Sequence, residues 1–442
     1  MAPTRPFHWE YDAPLIPDET IRIEGGHPLR GEVSISGSKN AALKLLAAAT
    51  LTGERCRFTN VPEIADVSLM AEVLRDLGVV VDHPEPNTYE VSAGDIDWSF
   101  VPLEAAAKMR ASFILLGPLL ARVGKVIISN PGGDRIGRRP VDLHVEAMQA
   151  LGARIDYRNG YYFAEAPGRL RGGEVVFPHV TVMGTENAML AATLADGHTT
   201  IRPAAQEPEI DDLIGLLQEM GAEVERTAPD VIEVEGRRRL RGATHHTVAD
   251  RIEAGTFAVA AAVTGGEVTL QGAPREHIGA FLDVLEQVGV EVSGEGERIK
   301  VKGAQPGSGA YRATDIETAA YPGLATDLQP PTGVLLTQAQ GRSTVHETIY
   351  EDRLEWLTDL GRMGAQAEIV DAHRAVITGP ARLQGAEVEV GDLRAGASLI
   401  LGALAAEGQS IIHGMHHVRR GYETLEDKLL DLGAGIDQDP QS

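Results

Sequence analysis

The chain reads as an α/β protein of two lobes, three units in each, with buried helices inside and sheets on the outer faces. Two observations predict this. Six segments share one pattern of an amphipathic helix, a hydrophobic-Gly step and a short strand: LRDLGVVV, MQALGARI, LQEMGAEV, LEQVGVEV, LGRMGAQA and LLDLGAGI. Their glycines, Gly78, Gly152, Gly221, Gly289, Gly364 and Gly433, lie 74, 69, 68, 75 and 69 residues apart, a period that marks a repeat. Each unit also carries one helix that is apolar nearly all round: NAALKLLAAATL, ASFILLGPLLARV, NAMLAATLA, GTFAVAAAV, PTGVLLTQAQ and ASLILGALAA. A helix without a polar face has to be covered on all sides. The second helix of each unit is amphipathic and belongs outside it, and the two lobes leave a cleft between them.

Within a unit the expected order is strand, helix, strand, helix, strand, strand. In the first, GEVSISG is a strand, NAALKLLAAATL a helix, CRFTNV a strand, DVSLMAEVLRDLG a helix, and VVVDH with TYEVSA a closing pair. Ile210, Leu213, Ile214 and Leu217 recur at helical intervals, and Ile278, Phe281, Leu282 and Leu285 repeat the pattern one unit later. A glycine just past such a helix closes it in the left-handed conformation at low cost.

Length and composition agree with this picture. A chain of 442 residues implies two domains of about 200. Its 43% hydrophobic and 24% charged residues are those of a globular protein. A formal charge of −24 argues against nucleic acid or an anionic membrane as partner. Small anions stay open, because a local arginine cluster prevails at short range. Cys56 is the one cysteine, so no internal disulfide forms, and its place in the alternating RCRFTNV reads as a packed thiol. Residues 1–19 are polar, acidic and proline-bearing and read as a loosely ordered extension without a signal-peptide core. The apolar runs are too short to span a bilayer, and a cytoplasmic protein is expected. One stretch runs against the acidic balance. PGGDRIGRRP, residues 131–140, places Arg135, Arg138 and Arg139 around Asp134 on a flexible glycine-bearing loop, a local concentration of cations.

Nine motifs then occur in order: GSKNAAL (37–43), MRAS (109–112), PGGDRIGRRPVDLH (131–144), EPEI (207–210), DRIEAGTF (250–257), TDLQ (326–329), YEDR (350–353), DLRAGASL (392–399) and RGYE (420–423). By their number and order the chain, from residue 20 to its end, resembles the UDP-N-acetylglucosamine 1-carboxyvinyltransferases, a family of enolpyruvyl transferases. The resemblance implies a two-domain inside-out α/β barrel of six βαβαββ repeats, three per domain, with the active site in the interdomain cleft. Residues 20–36 with 248–442 would form one domain and 37–247 the other, after the extension 1–19. It also implies transfer of the enolpyruvyl group of phosphoenolpyruvate to the 3-hydroxyl of UDP-N-acetylglucosamine by addition and elimination. Phosphate is released, the step opens peptidoglycan synthesis, and the family needs no metal or organic cofactor.

Residue roles follow from the same resemblance. Lys39 and Asn40 match phosphoenolpyruvate contacts, Arg110 a substrate-anion arginine, and Arg139 the lid arginine that grips the phosphate. Arg394 and Arg420 match carboxylate- and phosphate-binding positions on the opposite lobe, and Arg353 completes the set. Guanidinium forks suit such anions because they offer paired donors. Asp327 matches the carboxylate that approaches the sugar hydroxyl and is assigned the base; Ile349 lines the sugar site. Arg139, Pro140, Val141, Asp142 and Leu143 would hold the uridine nucleotide, and His144 reads as structural. Asp134 stands where most of the family has cysteine and is assigned the proton donor, so that Asp134, Asp327, Lys39 and Arg394 form the catalytic set. Its arginine neighbours lower its pKa, and closure over anionic substrates pushes the other way. A carboxylate is not alkylated by an epoxide as a thiolate is, so insensitivity to fosfomycin is expected. The chain departs from the family pattern at Lys44, Met183, Gln206, Pro330 and Pro331, nearer the sugar nucleotide than the phosphoenolpyruvate. Two other readings stay open: a paralogue acting on another nucleotide or on shikimate 3-phosphate, and a catalytically silent binding protein.

Overall fold

All six periodic glycines lie in the left-handed region, with φ of +87°, +89°, +89°, +108°, +95° and +97° in chain order. The computed structural model describes residues 19–94, 96, 99–133 and 136–438. Each repeat glycine leads into an antiparallel strand of a four-stranded sheet, and there are six such sheets among the described residues. In the third, the spatial order is Glu174–Val176, His198–Arg202, Val231–Glu235, Glu223–Ala228. Its first two strands are parallel and the rest antiparallel. The helix Val182–Ala192 connects the parallel pair, and the amphipathic helix Pro208–Glu219 precedes the hairpin.

The apolar helices lie where their composition sends them. Every residue of Arg251–Thr264 is buried, as are all but one of Lys39–Ala48 and all but one of Leu393–Ala405. Removing a large aliphatic or aromatic side chain from water contributes roughly 1.5–3 kcal/mol. Buried apolar side chains form two separate cores, one from Ala42 to Leu240, the other from Ile21 to Ile35 together with Ile252 to Ala434. Cys56 sits in the first, buried in the strand Arg55–Thr59. No helix among the described residues is long and apolar enough to cross a membrane.

Strand partnership differs from expectation at the ends of the repeat array. The GEVSISG strand, Arg30–Ser34, pairs in parallel with Glu267–Gln271 of the fourth unit, Glu32 opposite Thr269. The first unit takes its opening strand from Thr244–His246, parallel to Arg55–Thr59. Ile21–Glu24 fills the sixth sheet between Gln409–His413 and Gly435–Gln438. Each lobe is thus completed by a segment remote in sequence, which pairs backbone groups that an open edge would leave bare. The apolar run ASFILLGPLLARV also departs from one continuous helix. A 3-10 segment Arg110–Leu115 precedes the α-helix Leu116–Val123, because Pro118 lacks an N–H and crowds the carbonyl four residues earlier.

The chain crosses between cores twice, side by side. Ser38 donates its N–H to the Val248 carbonyl at 2.7 Å and Asp250 donates to Ser36 at 2.8 Å, with Gly37 opposite Ala249. A Cβ on Gly37 would come 1.7 Å from the Asn60 carbonyl oxygen, so the crossing admits only glycine there. Just before it, His245 lies 3.1 Å from Asp212 and 3.1 Å from Glu219 through its two ring nitrogens. Burial pushes its pKa down, but the hydrogen bonds and charges of Asp212 and Glu219 outweigh that and raise it. A raised histidine stabilises the fold fully below its unfolded value of about 6.5, and the contribution is lost as pH rises through the folded value. His245→Ala should therefore cost about 1–3 kcal/mol in urea titrations at about pH 6 and clearly less at about pH 9. Equal losses at both would rule out the ionic contribution.

Candidate active site

Cations stand at the N-terminal ends of core helices, where the helix dipole is already positive. Lys39 opens Lys39–Ala48, Arg251 opens Arg251–Thr264, Arg394 is the second residue of Leu393–Ala405, and Arg110 opens the 3-10 segment. Such placement opposes helix stability and favours an incoming anion. The caps make the helix starts firm. Asp392 accepts from the N–H groups of Arg394 and Ala395 at 2.8 and 3.0 Å. Asp250 accepts from Ile252 and Glu253 and, across the crossing, from the Lys39 N–H at 3.2 Å.

Asp327 lies between two guanidiniums. Arg353 Nη2 donates to its Oδ1 at 2.8 Å, and Arg394 Nε and Nη2 are both 3.2 Å from its Oδ2. Burial pushes the Asp327 carboxyl up, but Arg394 and Arg353 outweigh it and hold the group far below the usual carboxylate range. Arg394 also lies over the Tyr422 ring at 5.2 Å, while its Nη1 has no hydrogen-bond partner among the described residues. Lys39, 8% exposed, faces this group from the other side: Arg394 and Arg420 both depress its pKa, after burial, and Asp66 opposes them. Arg420 donates to Asp66 at 3.0 Å, and Lys39 Nζ is 2.7 Å from the same carboxylate.

The lid loop reaches the second lobe. Arg139 lies over Tyr350 at 5.5 Å and Arg353 meets the same ring at 5.5 Å. Arg138 donates its N–H to Glu351 at 3.2 Å. Arg110 holds the Pro140 carbonyl at 3.0 Å, and burial with the adjacent Arg139 pushes its pKa down to about 10. Neither Arg110 nor Arg139 is in an ion pair among the described residues. Val141 precedes the helix Asp142–Ala150, of which Asp142 is the first residue, and Leu143 packs on the first core. Asn40 follows Lys39 on its helix, and Ile349 is 41% exposed next to Tyr350. His144 is buried against Phe113 and Asn187, its pKa pushed down to about 3 by burial. Asp134 and Arg135 lie outside the described residues.

Several contributors were not singled out from the sequence. Glu347, fully buried, accepts from Thr318 and Thr326 and from the N–H groups of Ile349 and Tyr350, which fixes the 349–350 turn beside Asp327. Arg251 pairs with Glu209 of the other lobe at 3.0 Å. The departures have local explanations. Lys44 donates to the Asn40 carbonyl at 2.6 Å and stands 3.6 Å from Glu186, whose pKa burial pushes up to about 7. Pro330 and Pro331 fall in the first turn of Gln329–Leu336, where a missing N–H costs nothing. Met183 packs on the first core from the start of its helix. Nothing in the structure explains Gln206.

The family described as EPSP synthase (3-phosphoshikimate 1-carboxyvinyltransferase) matches residues 23–429. The chain belongs to this family. Among EPSP synthase family relatives, a UDP-N-acetylglucosamine 1-carboxyvinyltransferase of Solibacter usitatus is 46% identical over 415 residues, 94% of this chain and 98% of that one. One from Azorhizobium caulinodans is 44% identical over 429 residues, 95% and 99% of the two chains. The fold is that of the enolpyruvyl transferase NikO from Streptomyces tendae, with a TM-score of 0.85 at 24% identity, covering 95% of this chain and 99% of that one. EPSP synthase from Acinetobacter baumannii gives 0.73 at 19%, with the same coverage.

Proposed function

We propose that this family member transfers the enolpyruvyl group of phosphoenolpyruvate to the 3-hydroxyl of UDP-N-acetylglucosamine, releasing phosphate, and acts in the cytoplasm. The two cores are its two domains, 20–36 with 248–442 and 37–247. One observation carries the reading. Lys39, Arg110 and Arg139 from one lobe and Arg353, Arg394 and Arg420 from the other converge on one cleft around two carboxylates, Asp66 and Asp327. Two polyanionic substrates supply the missing charge.

In addition, the sugar oxygen bonds to carbon 2 of the enol as its proton leaves, and carbon 3 gains a proton. In elimination, carbon 3 loses a proton and the carbon–oxygen bond to phosphate breaks. Lys39, Arg139 and Arg420 hold the phosphate, and the unpartnered Nη1 of Arg394 takes the carboxylate. Asn40 and Arg110 complete the anion contacts; Ile349 and the turn Arg139–Leu143 bound the sugar nucleotide. Asp327 stays ionised and accepts a hydrogen bond from the hydroxyl. A carboxylate so stabilised is a weak base, so the proton moves as the new bond forms. Asp134 serves carbon 3 from the lid.

Purified protein mixed with phosphoenolpyruvate and UDP-N-acetylglucosamine should release phosphate and yield the enolpyruvyl ether by mass. Shikimate 3-phosphate in its place should yield neither, and the reverse result would reassign the acceptor. Preincubation with fosfomycin should leave the wild type active, whereas Asp134→Cys should keep activity and lose it with time in the drug. Time-dependent inactivation of the wild type would refute the expected insensitivity, and an active Asp134→Cys that the drug leaves unaffected would count against placing residue 134 at the lid tip.

A further inference from the structure

Asp66 has no role in the reaction as set out above, yet it occupies a central electrostatic position in the cleft. It is the second residue of the helix Ala65–Asp76, where the helix dipole favours an anion, and it is 3% exposed. Its Oδ2 lies 2.7 Å from Lys39 Nζ and 3.4 Å from Arg420 Nη2, and its Oδ1 lies 3.0 Å from Arg420 Nε. Both oxygens are thus spent on two cations that come from opposite sides of the cleft. The contact is reinforced three residues on. Glu423 accepts from the Glu63 N–H at 3.0 Å and from Asn87 Nδ2 at 2.6 Å, so the segment 420–423 holds the start of this helix at two points.

Without the carboxylate, Lys39 and Arg420 would be neighbouring like charges in a buried place, with Arg394 a third. Such charges separate or discharge. We propose that Asp66 is a positioning residue that joins Lys39 and Arg420 into a single two-cation seat for the substrate phosphate and holds the lobes together there. The proposal rests on the enolpyruvyl-transfer reading. It has a second consequence. The charged groups facing Lys39 include Asp66, Arg394 and Arg420, with Asp250 at its backbone N–H; burial, Arg394 and Arg420 favour loss of its proton, and Asp66 opposes this. Removing the Asp66 charge should move deprotonation of Lys39 to lower pH, and phosphate binding should fail first on the alkaline side.

The test compares wild type, Asp66→Asn and Asp66→Glu for KM of each substrate between about pH 6 and about pH 9. Asp66→Asn should raise the phosphoenolpyruvate KM about 10–100-fold at the alkaline end and less at the acid end, with the sugar-nucleotide KM within about threefold. Asp66→Glu keeps the charge but displaces it, and should raise the phosphoenolpyruvate KM while keeping the wild-type pH dependence. A phosphoenolpyruvate KM that is unchanged or lower in Asp66→Asn would overturn the proposal, as would an equal, pH-independent rise for both substrates. Should Asp66→Asn not fold, a wild-type phosphoenolpyruvate KM in Asp66→Glu overturns it instead. A wild type that releases no phosphate counts against the reaction alone. Calorimetric titration of the same three proteins with phosphoenolpyruvate then judges Asp66, with the same weakening expected and equal affinities overturning.

Discussion

Asp327→Asn should reduce kcat by about 10³-fold while leaving the sugar-nucleotide KM within a few-fold, because it removes an interaction made as the hydroxyl proton departs. The substitution is nearly isosteric, so the loss reads charge rather than space. It also changes the protein's stability. Arg353 and Arg394 are 6% and 4% exposed, and both spend donors on the Asp327 carboxylate. An amide accepts on one side only and presents its own N–H groups on the other, against a guanidinium. Breaking one member of a buried ion pair costs about 3–5 kcal/mol. The sign with pH follows from the depressed pKa. The ionic contribution is present above the unfolded value of about 3.8 and is lost only as pH falls through the lower folded value. Urea titrations at about pH 5 and about pH 8 should therefore give the same loss. A loss that disappeared at the lower pH would mean that Asp327 titrates normally and is not clamped.

Arg394→Lys should lower kcat/KM for phosphoenolpyruvate by about 10²–10³-fold with little loss of stability, and Arg394→Met should lose both. The guanidinium is placed for three things at once: its Nε and Nη2 hold Asp327, its plane lies over Tyr422, and its buried Nη1, without a hydrogen-bond partner among the described residues, is the donor proposed for the substrate carboxylate. A lysine ammonium can neutralise Asp327 but is a single point and cannot also reach a carboxylate beyond it. The methionine variant leaves Asp327 with Arg353 alone, and the Asp327 pKa should rise. Steady-state kinetics and denaturant titration on the same preparations separate the two effects. A lysine variant with wild-type kcat/KM would show that one charge suffices and that the fork geometry carries no function.

Local chemistry made much of this legible. The six periodic glycines all close helices, because left-handed backbone is open to glycine and costly for other residues. The all-apolar segments lie in the cores because nothing else satisfies such a surface. Lys39, Arg110 and Arg394 were legible through the motifs that contain them, and in the structure each is a cation at a helix start, a placement against the dipole of the kind that tends to mark a site. Tyr350 and Arg139 lie inside two of the nine motifs, but their contact, with Arg353 on the same ring, depends on the 131–140 loop reaching the opposite lobe. Asp66 and Glu347 were not singled out from the sequence, where neither lies in one of the motifs. Each gains its meaning from partners far off in the chain.

The amino-acid sequence by itself determined the number of units, the inside and outside of each helix, the turn positions and the concentration of cations in a few motifs. All of these follow from side-chain size, polarity and backbone preference over a handful of neighbouring residues. The tertiary structure alone decided which strand completes which sheet: Arg30–Ser34 pairs with Glu267–Gln271, and Thr244–His246 with Arg55–Thr59. A strand a few residues long carries the same hydrogen-bonding groups for any partner, so its own residues do not name one. The tertiary structure also decided that Asp66 stands between Lys39 and Arg420, since an ion pair is set by distance in space and its members are 354 residues apart in the chain.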